Sequence, residues 1–108
     1  IGAAKALSSA ARQQDRARRL ELDNAVADAS AGLEAARQVE ALIQGGVLLQ
    51  AEAGFQSALK AYELDRADVQ VVLDAERQLW RARIDLLTAQ ADQQKRLADI
   101  ERLVGEEL

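Results

Sequence analysis

The sequence predicts an all-α protein, a long antiparallel coiled-coil helical hairpin with unequal arms. Three observations lead there. The 108 residues contain no Pro, so no ring closure forces a helix to stop. Apolar residues recur at alternating spacings of three and four, the seam of a coiled coil. Near residue 65 the heptad spacing is interrupted by LDRAD and then resumes. About a fifth of the chain is Ala, 30% is charged and only Phe55, Tyr62 and Trp80 are aromatic. Such a chain suits helices packed closely along their length better than a core of large side chains.

The first arm is predicted from about Ala3 to Glu63, and Ala, Leu, Glu, Gln and Arg dominate it. Its seam is read as Leu22, Ala25, Ala29, Gly32, Ala36, Val39, Ile43 and Gly46. Gly45-Gly46 is the weak point, because two adjacent glycines cost roughly 2 kcal/mol relative to Ala inside a helix. Close packing of Gly46 against a neighbour on the seam accounts for them. The alternative is a break, giving a three-helix bundle. The tip is placed at Leu64–Ala67, with Asp68 capping the second helix through its carboxylate, a role open to Asp65 if that helix starts earlier.

The second arm runs from Asp68 to about Val104, and Gly105 is read as its stop. Val72, Leu79, Leu86 and Ile100 form one row at multiples of seven; Ala75, Ala82, Ala89 and Leu103 form its partner. Large residues facing Ala let two backbones approach closely. Gln93 and Arg96 interrupt these rows with polar groups, which set register or face water. At 1.5 Å per residue the arms span roughly 90 and 55 Å, so about 25 N-terminal residues lack a partner in the hairpin.

Two further apolar rows, Leu73–Trp80–Leu87 and Ile84–Ala91–Ala98, lie beside the seam. A two-stranded hairpin buries one stripe, so these rows imply neighbours on two flanks, as in a bundle or closed ring of helices. Trp80 is expected to be a packing anchor between helices.

Composition excludes several functions. Cys, His and Met are absent, which removes disulfides, thiol chemistry and the soft metal ligands; no cofactor or metal is expected. The net charge of −4, with both signs interleaved, argues against nucleic acid, and the one basic run, Arg16–Arg19 with Ala17 inside it, reads as a solvated helix face. No apolar run approaches the roughly 20 residues that cross a bilayer as a helix. The carboxylates form no catalytic set and a two-helix hairpin has no dry pocket for them, so an enzyme is not expected.

The ordered set Tyr62, a short turn, Val72-Leu73-Asp74-Ala75, Leu79, Trp80 and Ala82 resembles the tip of the second repeat of outer membrane factors, the TolC-like exit ducts of Gram-negative efflux pumps. LLQAEAGFQSALKAY upstream and LADIERLVGEEL downstream are similar to the same family, so the likeness covers at least Val47 to Leu108. RADVQVVLDAERQLW is most similar to the heavy-metal efflux branch. The resemblance implies a fragment of a larger outer membrane protein, a homotrimer whose β-barrel lies outside this chain. This segment would then be the last hairpin of the periplasmic tunnel wall, with its end near the parent's C-terminus. Its partners would be a periplasmic adaptor and an inner-membrane pump.

By the same resemblance, Tyr62 matches a tip tyrosine that holds the periplasmic end closed and Asp74 an acidic ring residue at the constriction. Leu64, Asp65, Arg66, Ala67 and Asp68 match the loop that meets the adaptor. The chain departs from the family at Asp65, which replaces a turn glycine, at Ala67, which replaces the gate-pairing arginine, and at Val71, which replaces a second acidic constriction residue. Without the glycine the turn must either reverse another way or place Asp65 in a left-handed conformation, which Asp tolerates better than most residues.

Each residue also has a plainer role. Asp74 suits the first turns of any helix and reaches Arg77 or Gln78, and Tyr62 suits packing with its hydroxyl at the surface. Two other functions compete. An adaptor hairpin would show an Arg, a Leu four on and a Ser seven further; around Arg16-Leu20 and Arg18-Leu22 the Ser places hold Ala27 and Ala29. A structural, dimerising coiled coil would bury one stripe per helix.

Overall fold

The strong helix formers and the absence of Pro produce continuous helix on both sides of one turn. The computed structural model describes residues 2–107, and the chain is an all-α antiparallel coiled-coil hairpin. Helix α1 is Gly2–Leu42, a π-helical turn follows at Ile43–Val47, α2 is Leu48–Glu63, and α3 is Val69–Glu107. The arms are unequal, with 41, 5 and 16 residues in the first against 39 in the second.

Gly45-Gly46 therefore does not break the arm, and the three-helix bundle is excluded. Neither does the arm run as uninterrupted α-helix. The Leu48 N–H donates to the Ile43 carbonyl, one residue further back than in an α-helix, while Leu42 and Leu48 both keep right-handed helical dihedrals. The glycines are not needed for close packing: a Cβ on either would meet nothing within 4 Å. Gly105 is no stop either. It lies inside α3 without positive φ, so the C-terminal turn stays right-handed through it. Leu108, the last residue of LVGEEL, lies outside the described residues.

By its internal contacts the chain forms two units, Ile1–Leu33 with Lys95–Leu108, and Glu34–Gln94. In the first, all described residues from Gly2 to Glu21 are exposed, as the unequal arms require. Leu22, Ala25, Val26 and Ala29 are half-buried and Leu33 is buried, with Ile100 and Leu103 half-buried on α3. The Arg96 side chain is exposed at the edge of the seam, where it crosses Gly32 so closely that a Cβ there would stand 2.5 Å from Nη1.

The second unit holds most of the core. Leu79 and Ala82 are 5% and 2% exposed, and Ala36, Ala58 and Ala89 are buried with them. Alanine supplies four of these five, so the backbones approach closely and dispersion contacts replace bulk. Val39, expected on the seam, is 49% exposed; the neighbouring Glu40 takes its place. The Glu40 carboxylate accepts hydrogen bonds from the Gln90 carboxamide at 3.2 Å and from that of Gln93. Gln93 thus enters the seam as expected and is satisfied by an anion from the opposite arm.

The reversal is built from backbone hydrogen bonds. The Arg66 N–H donates to the Ala61 carbonyl at 2.8 Å and the Asp65 N–H to the Tyr62 carbonyl at 3.1 Å. This is the Schellman closure of a helix C-terminus, with Asp65 at φ 57° where glycine is usual. Asp68 then caps α3, its Oδ1 accepting from the Val71 N–H at 3.2 Å. Since an L side chain resists the left-handed region, Asp65→Gly should stabilise the hairpin by about 0.5–1 kcal/mol, and Asp65→Val should cost about 1–2 kcal/mol. Urea unfolding of the two variants checks this, and equal midpoints would remove the strain argument.

Candidate functional site

The tip is the candidate site, and local sequence positions every part of it. Tyr62 lies in the last turn of α2, where its carbonyl helps close the reversal and its side chain is exposed. Leu64, Asp65, Arg66 and Asp68 are exposed around the turn and Ala67 is half-buried. Asp74 lies in the second turn of α3, accepting from Gln70 Nε2 at 3.0 Å and facing Arg77 Nη1 at 3.6 Å. Both contacts join exposed groups one helical turn apart, which limits their contribution to stability. Both proposed gate residues lie near the same end of the hairpin, and among the described residues no hydrogen bond joins Tyr62 to Asp74.

The structure adds Val69 and Val71 to the surface of the tip. Tyr62, Leu64, Val69, Val71 and Leu73 are all large, apolar and exposed, so the turn carries an apolar shell. The signal was present in Val69-Gln70-Val71-Val72-Leu73. A helix turns by 3.6 residues, so apolar residues at i, i+2 and i+4 cannot all share a seam with Val72. Some of them had to face outward.

Trp80 does not anchor the hairpin's own interior. One residue beyond buried Leu79, it is 54% exposed, and the Arg83 guanidinium lies over its ring 5.7 Å from the centroid. It lines an open groove with Leu49, Phe55 and Glu76. Leu73 and Leu87 of its row, and all of Ile84, Ala91 and Ala98, are likewise exposed, Leu87 at 65%. The flank rows are thus real surfaces of the chain and none is covered by the hairpin itself.

No group of three or more acidic side chains among the described residues is arranged to hold a metal ion. Among the same residues no helix is long and apolar enough to cross a membrane. Fold and tip together define a class, the antiparallel coiled-coil hairpin with an apolar, exposed end. No protein family, curated protein or solved structure matches this chain.

Proposed function

We propose that the chain is a wall hairpin of the periplasmic tunnel of a trimeric outer membrane efflux channel. Its tip contacts the periplasmic adaptor close to the inner-membrane pump and helps gate the duct. The observation that carries the reading is the set of exposed apolar rows beside the seam, Leu73–Trp80–Leu87 and Ile84–Ala91–Ala98. Apolar surface of this extent favours burial at roughly 25 cal/mol per Å², which a wall of adjacent helices supplies and a free-standing hairpin does not. The exposed Gly2–Glu21 arm fits the same picture, since helices elsewhere in the parent would cover it. The resemblance of the tip sequence to outer membrane factors supplies the rest, including the heavy-metal branch.

In this reading the segment lies in the periplasm and meets the membrane only through a β-barrel elsewhere in the parent. It uses no cofactor, binds no nucleic acid and catalyses no reaction. Tyr62 packs at the closed end. Three copies of Asp74 around the axis gather negative charge at the constriction and favour cations over anions.

The gene around this segment tests the reading directly. A signal peptide, amphipathic strands and a second similar hairpin upstream are expected; a cytoplasmic reading frame would leave a structural coiled coil. In the parent channel, replacing Tyr62 and Asp74 together (Tyr62→Ala, Asp74→Asn) should raise single-channel conductance and lower cation preference, each by about twofold or more, without loss of the trimer. Unchanged conductance and selectivity in planar bilayers would remove the gate assignment.

A further inference from the structure

The π-helical turn explains a phase change in the seam residues of the first arm. Before it, the seam residues repeat by seven: Leu22, Ala29, Ala36 and Ile43 in one row, Val26, Leu33 and Glu40 in the other, all buried or half-buried. Beyond it they repeat by seven again, as Ala51 and Ala58 in one row and Leu48 and Phe55 in the other. Across the turn both rows step by eight, from Ile43 to Ala51 and from Glu40 to Leu48. One residue has been inserted, and both rows register it at the same place.

In an unbroken α-helix an extra residue rotates everything beyond it by about 100°. The rows would then continue through Gln50 and Ser57, and through Val47 and Gly54, all of which are exposed in the structure. That register trades Leu48, Ala51, Phe55 and Ala58 for two polar residues, a valine and a glycine. The wider turn avoids the exchange by taking up the additional residue within itself. Adjacent glycines weaken the competing α conformation at this point and no other, which localises the turn.

We infer that Ile43–Val47 is a register adaptor, a one-residue insertion whose π turn lets α1 and α2 present a single continuous seam to α3. Its residue is removable. Deleting Gly45 restores seven-residue spacing across the junction, so α1 and α2 merge into one α-helix with the same residues facing α3. Deleting Thr88 from α3, where no such turn exists, must instead put one side of that helix's seam out of phase.

The full 108-residue chain lacks Cys, so a cysteine pair is a clean reporter. Gln50→Cys and Arg81→Cys place thiols on exposed residues that line one groove, within reach of a short bis-maleimide. The chain without Gly45 should cross-link this pair as efficiently as the parent and unfold in urea at the same or a higher midpoint. Deleting Gly46 should behave alike, whereas deleting Thr88 should lower the midpoint. The inference is overturned if both glycine deletions cross-link no better than the singly substituted chains, or lower the midpoint as much as the Thr88 deletion does.

Discussion

Ala82→Leu should cost the hairpin about 3 kcal/mol, at the upper end for overpacking a tight core. Ala82 is the most deeply buried of the core residues. Along its row and opposite it the chain uses Ala75, Ala89, Ala51 and Ala58, all buried or half-buried. A leucine adds three carbons between two closely approaching backbones, so the arms must separate and the short dispersion contacts along the seam are lost over more than one turn. Ala91→Leu, on the exposed flank row, makes the same chemical change outside the seam and should leave stability within about 0.5 kcal/mol. Chemical denaturation of both variants at one protein concentration reads the difference. Equal midpoints would mean that the Ala rows do not form the seam.

Glu40→Ala should cost about 2 kcal/mol, although it removes an anion from a chain of net charge −4. The Glu40 carboxylate is part-buried and accepts from both Gln90 and Gln93 across the seam. Truncating it leaves two carboxamides without their acceptor, and the desolvation of those groups goes uncompensated. Glu40→Leu combined with Gln93→Leu should recover part of the loss, because apolar residues of similar volume replace one of the two hydrogen-bonded pairs while Gln90 still lacks its acceptor. That double variant should also relax the pairing of the arms, as polar seam residues commonly specify register. A double-mutant cycle on Glu40 and Gln93 measures the coupling. Additive single effects would show that the contact contributes nothing.

These two sites differ in how far the sequence foretold them. The Ala row of α3 was readable because Ala75, Ala82 and Ala89 keep seven-residue spacing without interruption. Asp68 as a cap was equally readable, since it depends only on neighbouring backbone, whereas the left-handed Asp65 was one of two alternatives between which the structure chose. Glu40 was not, because a carboxylate beside Val39 is the natural solvent-facing choice until two glutamines on the other arm are known to meet it. The apolar shell of the tip was half legible: the turn was found, but Val69 and Val71 were not assigned to its surface.

By itself the sequence determined the all-α class, the place of the reversal and the heptad rows of α3. Helix propensity, capping and periodicity act within a few residues and need no partner to operate. Tertiary structure alone decided what became of Gly45-Gly46 and which face of α2 turned inward. Periodicity states which residues share a face but is silent on the phase between two segments joined by an inserted residue. That phase is chosen by the facing helix, whose rows bury Leu48, Ala51, Phe55 and Ala58 only if the chain widens by one residue at Ile43–Val47.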